Sequence, residues 1–251
     1  MCWMRFALIA LTFFLASGAR ADDEDWNAWR KDTKKFVEGR FKYYVHTPPG
    51  FDARESKDKK YPLLVVAHWS YVDGPAYLHY WRPDADAHGV IVAAPNSIGG
   101  ANWIPADGAN VEHMVTQIKA QYPIDDKQVW LAGYSAGGVF IYYELFKYPS
   151  LFTAVLPVGG RIRRHKALVP TDQVPRTTRV CVFHGKTDRN IHFSEAESDI
   201  AILRSVGYEV ELHAMPKFGH WIPRDRGAEM FACLRGKPPI SLDISDPIHG
   251  K

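Results

Sequence analysis

The sequence predicts an α/β fold, with one mostly parallel central β-sheet and helices on both of its faces. Three observations lead to this prediction. Short, continuous apolar runs recur along the chain, as in strands that are buried on both faces of a sheet. Segments with helical spacing of apolar residues lie between these runs. The alternation of the two kinds of segment is typical of a parallel sheet, and 251 residues suit a single domain.

Seven segments are predicted to be strands. The clearest are 61–67 and 89–94, which are apolar almost throughout and therefore fit the interior of a parallel sheet. The segment 41–47 is followed by Pro-Pro-Gly, which ends it. In chain order, the expected strands are 41–47, 61–67, 89–94, 128–134, 152–158, 178–183 and 208–214.

Four helices are expected between and after these strands. The segment 136–147 is apolar almost all round, as in a helix buried at the centre of a molecule. The other three carry start or end signals. One helix is capped by Asn110 and ended by Pro123. The next has Ser194 and Glu197 at capping-box spacing, and Pro223 opens the last helix, which runs toward Leu234.

The N-terminal residues 1–21 have the features of a secretory signal peptide. Arg5 precedes the apolar run 6–16, and small residues at Ala19 and Ala21 precede an acidic stretch. The run is too short to span a membrane; the alternative is a buried N-terminal helix. We expect residues 22–251 to form a single domain with its core at about 41–235. We also expect the protein to be periplasmic or secreted.

The net charge of the chain does not indicate nucleic acid as a partner. The formal net charge is +3, and removal of residues 1–21 leaves 29 basic and 28 acidic residues. No later apolar stretch is long enough for a membrane span. No metal-binding or phosphate-binding motif is present, so we expect no metal and no cofactor.

Two cysteines, Cys181 and Cys233, remain after the signal segment. Export would permit a disulfide between them. Two cysteines in a domain of this size do not make a disulfide framework, however, and the sequence leaves their redox state open. We favour two buried thiols, one on a strand and one on a helix.

The run Gly133-Tyr134-Ser135-Ala136-Gly137 supplies a candidate nucleophile. It matches G-x-S-x-G, directly after an apolar strand and directly before the buried helix, which is the context that this motif requires. Glycines on both sides avoid a Cβ clash across the tight turn, and the helix N-terminus offers free N–H groups. We therefore expect Ser135 to be the nucleophile; the alternative is a chance match.

A serine hydroxyl needs a base beside it and an acid that orients the base. Asp188 follows the strand 178–183, at the sheet edge where catalytic groups gather. Only His220, among eleven histidines, combines a loop after a strand with the chain order Ser, Asp, His. The alternatives are a turn-forming aspartate and a structural histidine. The sequence predicts the triad Ser135, Asp188 and His220.

These motifs together resemble bacterial esterases of the α/β-hydrolase superfamily. The group includes dienelactone hydrolases, phospholipase/carboxylesterases, feruloyl and acetyl-xylan esterases and polyhydroxybutyrate-depolymerase-like proteins. Some relatives are peptidases related to prolyl oligopeptidase. The resemblance covers about 41–234 and implies the α/β-hydrolase fold and a serine esterase without a cofactor. It is carried by the segments 129–138, 148–160, 182–188 and 218–220.

The chain departs from this family pattern after the strand 61–67. The family usually has His-Gly there, whereas this chain has His68-Trp69-Ser70. We expect the backbone N–H of Ser70 or Trp69, together with that of Ala136, to form the oxyanion hole. The bulky indole of Trp69 is also expected to narrow the pocket.

Aromatic and basic side chains bear on the substrate. Trp69, Trp103 and Trp221 lie beside the predicted functional loops and are candidates for walls around an aromatic acyl group or a sugar. A chain with eight tryptophans also places some in loops by chance. The basic residues Arg161, Arg163 and Arg164 suit a carboxylate, although a solvated surface loop is the interpretation we favour.

The sequence thus predicts a secreted serine hydrolase that cleaves carboxylic esters through an acyl-enzyme. Its substrate is expected to be a small or polysaccharide-linked ester. One alternative is a serine peptidase related to prolyl oligopeptidase, which the chain length disfavours because no propeller domain fits. Another is a non-catalytic binding protein on the same fold, which the complete set of triad residues disfavours. The oligomeric state is not indicated.

Overall fold

The computed structural model describes residues 32–52, 59–174 and 176–237. The predicted signal peptide, residues 1–21, lies outside these ranges. Eight strands are found within them: β1 (Thr33–Glu38), β2 (Phe41–His46), β3 (Tyr61–Ala67), β4 (Ile91–Pro95), β5 (Ile124–Tyr134), β6 (Ala154–Val158), β7 (Arg179–Gly185) and β8 (Val210–Met215).

The eight strands form one sheet, in the order β1-β2-β4-β3-β5-β6-β7-β8. The pairings of β1 with β2 and of β2 with β4 are antiparallel. The pairings from β4 through β3 to β8 are all parallel, which confirms the predicted mostly parallel sheet. The central strands β3 and β5 pair in continuous register, from Leu63 opposite Val129 to Ala67 opposite Gly133.

Among the described residues, five helices accompany the sheet, with short 3₁₀ helices at Arg163–Leu168 and Arg224–Arg226. None of the helices in the described ranges is both long enough and apolar enough to cross a bilayer. The helices are α1 (Gly74–His88), α2 (Pro105–Gln121), α3 (Ala136–Lys147), α4 (Phe193–Ser205) and α5 (Gly227–Leu234).

The helices cover both faces of the sheet. Alternate strand residues such as Leu63 and Val65 join one buried cluster with apolar residues of α2, α3 and α4. On the opposite face, Trp130 of β5 contacts Phe231 of α5, which in turn contacts Trp81 of α1. Because successive strand residues point to opposite faces, both halves of each apolar run are buried. The predicted two-sided architecture is confirmed.

The starts of three helices differ from those predicted. The last helix was expected to open at Pro223, but a 3₁₀ helix occupies Arg224–Arg226 and α5 begins at Gly227. The helix expected to begin at Asn110 begins at Pro105, where the missing N–H of proline leaves no donor unpaired. Asp107 in its first turn accepts a hydrogen bond from the backbone N–H of Ile104, at 2.8 Å. Ser194 is likewise inside α4, which begins at Phe193 and has no side-chain cap. In addition, β1 and α1 were not predicted.

The cysteines are joined in a disulfide, so the expectation of two buried thiols was wrong. Cys181 lies on β7 and Cys233 on α5, with Cα atoms 6.1 Å apart, within the range that a disulfide can bridge. The correction has a topological cause. Helix α5 packs directly on β7, and this pairing of a distant helix with a strand cannot be read from the spacing of two cysteines.

We expect removal of this disulfide to destabilise the domain by about 4 kcal/mol, because a cross-link over 52 residues restricts the unfolded chain. The measurement is urea unfolding of the oxidised protein and of the C181A/C233A variant. Treating the wild type with dithiothreitol should reproduce the loss, and treating the variant should change nothing. Equal free energies of unfolding for the oxidised protein and the variant would contradict the prediction.

A carboxyl group is buried between α2 and α3. The side chain of Glu144 is completely buried, and neither of its oxygens has a hydrogen-bond partner among the described residues. A Cβ at Gly108 would lie 2.8 Å from Glu144 Oε1, so a glycine in α2 makes the room for this carboxyl. Burial, and then the nearby Glu112 and Asp107, raise the pKa of Glu144 well above its ordinary value.

The raised pKa of Glu144 predicts a stability that falls as the pH rises. Below the pKa of the unfolded chain both states hold the proton; above it the unfolded chain releases the proton while the folded protein keeps it. The free energy of unfolding should then fall by about 1.4 kcal/mol per pH unit until the folded pKa is reached. Glu144→Gln should reduce this slope in urea unfolding at pH 5 and pH 7, leaving the part due to Asp199, whose pKa burial raises to about 6, and the exposed Glu197→Gln should keep the whole slope.

Candidate active site

Four loops meet at the carboxyl-terminal edge of the parallel strands. They follow β3, β5, β7 and β8, and they carry Ser70, Ser135, Asp188 and His220 respectively. Side chains after parallel strands share this edge, which is where the active sites of open α/β sheets lie. The four residues that the sequence predicted from separate segments are therefore neighbours in space.

The turn between β5 and α3 holds Ser135 in a strained conformation. Its φ is 53° and its ψ is −112°, a region that a residue with a side chain adopts only when its surroundings impose it. Two backbone hydrogen bonds hold it: the N–H of Ser135 donates to the carbonyl of Val158, and its carbonyl accepts from Val139. The serine hydroxyl is thereby presented at the sheet edge, at the N-terminus of α3.

Ser135, His220 and Asp188 form a continuous chain of hydrogen bonds. The distance from His220 Nε2 to Ser135 Oγ is 2.9 Å. The distance from His220 Nδ1 to Asp188 Oδ2 is 2.7 Å. With the proton on Nδ1, the imidazole donates to the carboxylate and accepts from the serine hydroxyl, which is the arrangement a general base needs.

The carboxylate of Asp188 is oriented by its own loop. Its Oδ1 accepts hydrogen bonds from the backbone N–H groups of Asn190 and Ile191, at 2.8 and 2.9 Å. The residue is only 4% exposed. Asp188 therefore forms a local turn and contacts His220 at the same time. The histidine loop is held as well, because the hydroxyl of Tyr134 donates to the carbonyl of His220 at 2.9 Å.

Two competing histidines have other partners. His184 is fully buried, with its Nε2 2.8 Å from the carbonyl of Ile191. The ring of His213 stacks on Phe183, and its Nδ1 lies 2.6 Å from a carboxylate oxygen of Glu229. Both rings are buried inside the domain, and His184 Nε2 also lies 3.5 Å from Asp188 Oδ2.

One group in the described part of the chain has the spacing of metal ligands. Ligand atoms of Glu211, His213 and Cys233 lie within 4.8 Å of one another. The sulfur of Cys233 is already bonded to Cys181, so it is not available as the thiolate that metal ions bind. The group therefore supplies at most two protein ligands in this state.

A hydrogen-bonded network positions the loop after β3. His68 is buried, its Nδ1 lies 2.9 Å from the carbonyl of Trp69, and its Nε2 accepts from the N–H of Ser97. An imidazole that donates at one nitrogen and accepts at the other is neutral. In agreement, burial lowers the pKa of His68. The indole of Trp103 also donates to the carbonyl of His68, at 2.8 Å.

The loop after β4 reaches the same segment from the other side. The hydroxyl of Ser70 donates to the side chain of Asn102 at 2.8 Å. Asp107 is completely buried and accepts from the hydroxyl of Ser97 and the N–H of Ile98, at 2.9 and 2.8 Å. Asp107 thus ties the loop after β4 to the start of α2. Sequence reasoning missed this carboxylate; an acid at the third position of a helix that starts at Pro105 was the available signal.

The predicted oxyanion-hole residues border Ser135. Within the described ranges, no hydrogen bond uses the backbone N–H of Trp69, Ser70 or Ala136. The ring of Trp69 packs edge-on against Tyr77 and Tyr134, with centroids 5.4 and 5.8 Å apart. The large side chain that replaces the usual glycine therefore anchors the loop in an aromatic cluster.

Two cavities open on Ser135. The first has a volume of about 270 Å³ and is lined partly by Trp103 and Phe140. The second has a volume of about 380 Å³ and is lined partly by Trp69 and Trp221. The three tryptophans singled out in the sequence are thus divided between the two cavities. The basic residues divide as well: Arg161 and Arg164 line the first cavity, whereas Arg163 lies on a separate surface depression.

Comparisons with known proteins agree with this architecture. The chain is 25% identical over 206 residues to a bifunctional acetylxylan esterase/xylanase of Neocallimastix patriciarum, which covers 74% of this chain and 30% of that protein. The chain therefore spans about a third of the length of this curated relative.

Solved structures resemble the fold at low sequence identity. An acetyl xylan esterase from Aspergillus awamori superposes with a TM-score of 0.64 at 16% identity, over 80% of this chain and 98% of that one. A structure from Bacteroides ovatus that is named as a dipeptidyl aminopeptidase IV superposes with a TM-score of 0.67 at 15% identity. The superposition covers 82% of this chain and 35% of that one. Likeness at this identity shows the fold alone.

The family is shown by the sequence itself. The model of the phospholipase/carboxylesterase family matches residues 95–232, which is 138 of the 251 residues. This range contains the strained serine turn, the aspartate loop and the histidine loop. The chain therefore belongs to the phospholipase/carboxylesterase family, a family of serine esterases with the α/β-hydrolase fold.

Proposed function

We propose that this protein is a serine esterase that hydrolyses carboxylic esters through an acyl-enzyme, with Ser135 as nucleophile, His220 as base and Asp188 as the acid that orients it. The observation that carries the proposal is the hydrogen-bonded chain from Ser135 Oγ through the imidazole to the carboxylate, at 2.9 and 2.7 Å. The link from Ser135 to His220 lies within the distance that proton transfer needs, and the link from His220 to Asp188 has the length of a charge-assisted hydrogen bond.

Acylation begins when Ser135 Oγ attacks the ester carbonyl carbon. His220 Nε2 takes the hydroxyl proton as the new C–O bond forms, and the buried carboxylate of Asp188 stabilises the imidazolium that results. The tetrahedral intermediate collapses when the imidazolium gives its proton to the leaving alkoxide. The products of this half-reaction are an alcohol and an acyl-Ser135 ester.

Deacylation repeats the sequence with water in place of serine. His220 takes a proton from the water as it attacks the acyl carbon, and then returns the proton to Ser135 Oγ. In both halves the negative oxygen needs donors that are already in place. We propose the backbone N–H of Ala136 as one donor and that of Trp69 or Ser70 as the other, since none of them is engaged elsewhere in the described ranges.

The substrate class is inferred from the two cavities. Volumes of about 270 and 380 Å³ fit a small acyl group on one side of Ser135 and the alcohol on the other. We propose small or polysaccharide-linked esters, in keeping with the acetylxylan esterase named among the relatives. Tryptophan at both cavities suits a sugar or an aromatic ring.

Covalent labelling tests the proposal. A fluorophosphonate probe should label the wild type and should fail to label Ser135→Ala, because the phosphonylated atom is Ser135 Oγ. The wild type should also hydrolyse p-nitrophenyl acetate. Ser194→Ala is the control, since this exposed serine lies on α4 away from the turn, and it should label as the wild type does. Labelling of Ser135→Ala equal to that of the wild type would contradict the assignment of Ser135 as the nucleophile.

We also propose that the protein is exported, which would place it in the periplasm or the medium. Independent support comes from the Cys181–Cys233 disulfide, since such bonds persist in oxidising compartments. N-terminal sequencing of the exported protein should give a chain that begins at Asp22. Recovery of an uncleaved chain from the cytoplasm alone would contradict export.

A further inference from the structure

The cavity of about 270 Å³ beside Ser135 has an unusual charge. Its lining includes Arg161 and Arg164, and no aspartate or glutamate of the described residues lines it. Arg164 is exposed and Arg161 is half-buried, so a charged ligand group that they bind need not be taken fully out of water. The charge of the lining therefore points to a negatively charged group on the ligand.

The two arginines differ in what they already bind. Arg161 Nη1 donates to both carboxylate oxygens of Glu195, at 3.2 Å each. Arg164 has no ion pair with any carboxylate of residues 32–52, 59–174 or 176–237. Burial, and then the charge of Arg164, lower the pKa of the adjacent His165. Arg164 is thus the cation with bonding capacity left for a ligand.

The helix α3 and the basic residues at the far end of the cavity indicate the length of the ligand. One face of α3 lines the cavity, from Ala136 beside the nucleophile to Tyr143 two turns later. Seven residues of α-helix span about 10 Å. The ring of Tyr143 contacts His165 at 5.5 Å between centroids, so the basic end of the cavity lies about 10 Å from the serine end.

Flat apolar surface connects the two ends. The ring of Phe140 stacks on Trp103, with centroids 4.5 Å apart and planes inclined by 17°. The ring of Phe140 also lies nearly parallel to that of Tyr143, at 6.0 Å and 14°. A ligand that follows these rings has an apolar middle, a carbonyl at one end and an anion at the other.

We propose that the preferred acyl group carries a free carboxylate, which Arg164 binds: the substrates are monoesters of dicarboxylic acids with about 10 Å between the ester carbonyl and the carboxylate. This inference rests on the proposed esterase function and specifies its substrate class. The guanidinium of Arg164 receives the distal carboxylate in a forked, charge-assisted contact. The ester end lies at Ser135, and the alcohol leaves through the cavity that Trp69 and Trp221 line.

The test compares monoethyl suberate with ethyl octanoate, which has the same carbon chain without the carboxylate. The wild type should prefer the monoester by on the order of tenfold in kcat/KM, the size of one favourable charged contact. The preference should appear mainly in KM, because the carboxylate is bound equally before and during the reaction. The preference for the monoester should weaken as salt is added. The carboxylate of monoethyl succinate should give no such preference, because this acid is too short to reach Arg164 from Ser135.

Variants on one 3₁₀ helix separate the ligand contact from general charge. Arg164→Ala should reduce the ratio of the two kcat/KM values to about one, and Arg164→Lys should retain part of it. The matched control is Arg163→Ala, which removes the same charge from the neighbouring residue outside the cavity and should leave the ratio at the wild-type value. Thermal unfolding of each variant checks that the fold is intact.

The two proposals fail in different ways. If the wild type is labelled by the fluorophosphonate and cleaves p-nitrophenyl acetate but shows no preference for the monoester, the carboxylate inference is overturned and the esterase stands. The same holds if Arg164→Ala leaves the preference unchanged. If no ester is cleaved and no label is incorporated, the proposed function fails, and this inference fails with it.

Discussion

Replacing His220 with alanine is expected to lower kcat for p-nitrophenyl acetate about a million-fold. Without the imidazole, Ser135 Oγ has no acceptor for its proton, and a neutral hydroxyl is a weak nucleophile. Asp188→Asn is expected to lower kcat less, by about ten-thousand-fold, because the wrong imidazole tautomer is then favoured while the base remains. Steady-state kinetics on the purified variants measures both effects.

The double variant gives the sharper result. The aspartate acts only through the histidine, so H220A/D188N should be no slower than His220→Ala alone. Additive losses would show that Asp188 acts independently and would contradict a triad. Asp225→Asn is the matched control: this exposed aspartate follows His220 in the chain and lies on a 3₁₀ helix, and kcat should stay within twofold of the wild type, as about half a kcal/mol allows.

The positions of Ser135, Asp188 and His220 could be predicted because each depends on a local rule. A G-x-S-x-G run needs only the strand before it and the helix after it. Residues that follow parallel strands are brought together by topology, whichever side chains fill the sheet. Three short segments, far apart in sequence, therefore sufficed to predict a candidate site in which His220 lies within 3 Å of both Ser135 and Asp188.

Features that depend on which distant segments meet could not be predicted. The disulfide needs α5 to lie on β7, and the network around His68 needs the loop after β4 to fold back over the end of β3. Helix α1 was missed for a different reason. It contains Pro83, which suggests a break, yet the signals for its start were present: Asp73 accepts from the N–H of Ala76, and Pro75 lies in the first turn.

The basic segment after β6 shows which features of a surface can be predicted from composition alone. Three arginines within four residues suggested a solvated loop, and Arg163 and Arg164 are indeed exposed. The direction of each side chain depends on the 3₁₀ helix at Arg163–Leu168 and on the ion pair between Arg161 and Glu195. Charge count therefore indicated a basic surface, whereas only the structure distinguishes the arginines at the cavity from the one outside it.

The contact between α3 and β3 is the tightest backbone approach at the candidate site. A Cβ built on Gly137 would lie 1.9 Å from the carbonyl oxygen of Ala67 and 2.9 Å from that of His68. Both neighbours are backbone atoms, so no side chain can rotate away to make room. Only glycine allows the helix to start directly against the end of the central strand.

We expect Gly137→Ala to destabilise the domain by at least about 5 kcal/mol, which is enough to unfold many domains of this size. The added methyl must push α3 away from β3, which opens the centre of the sheet and displaces both Ser135 and the loop of Trp69. Urea unfolding and the yield of folded protein measure the effect. Gly219→Ala is the control beside His220, since its Cβ would meet only the carbonyl oxygen of Thr187 at 3.8 Å; its stability should stay within about 1 kcal/mol of the wild type. A stable Gly137→Ala variant would mean that the turn can relax, and the strain attributed to Ser135 would then lose its structural cause.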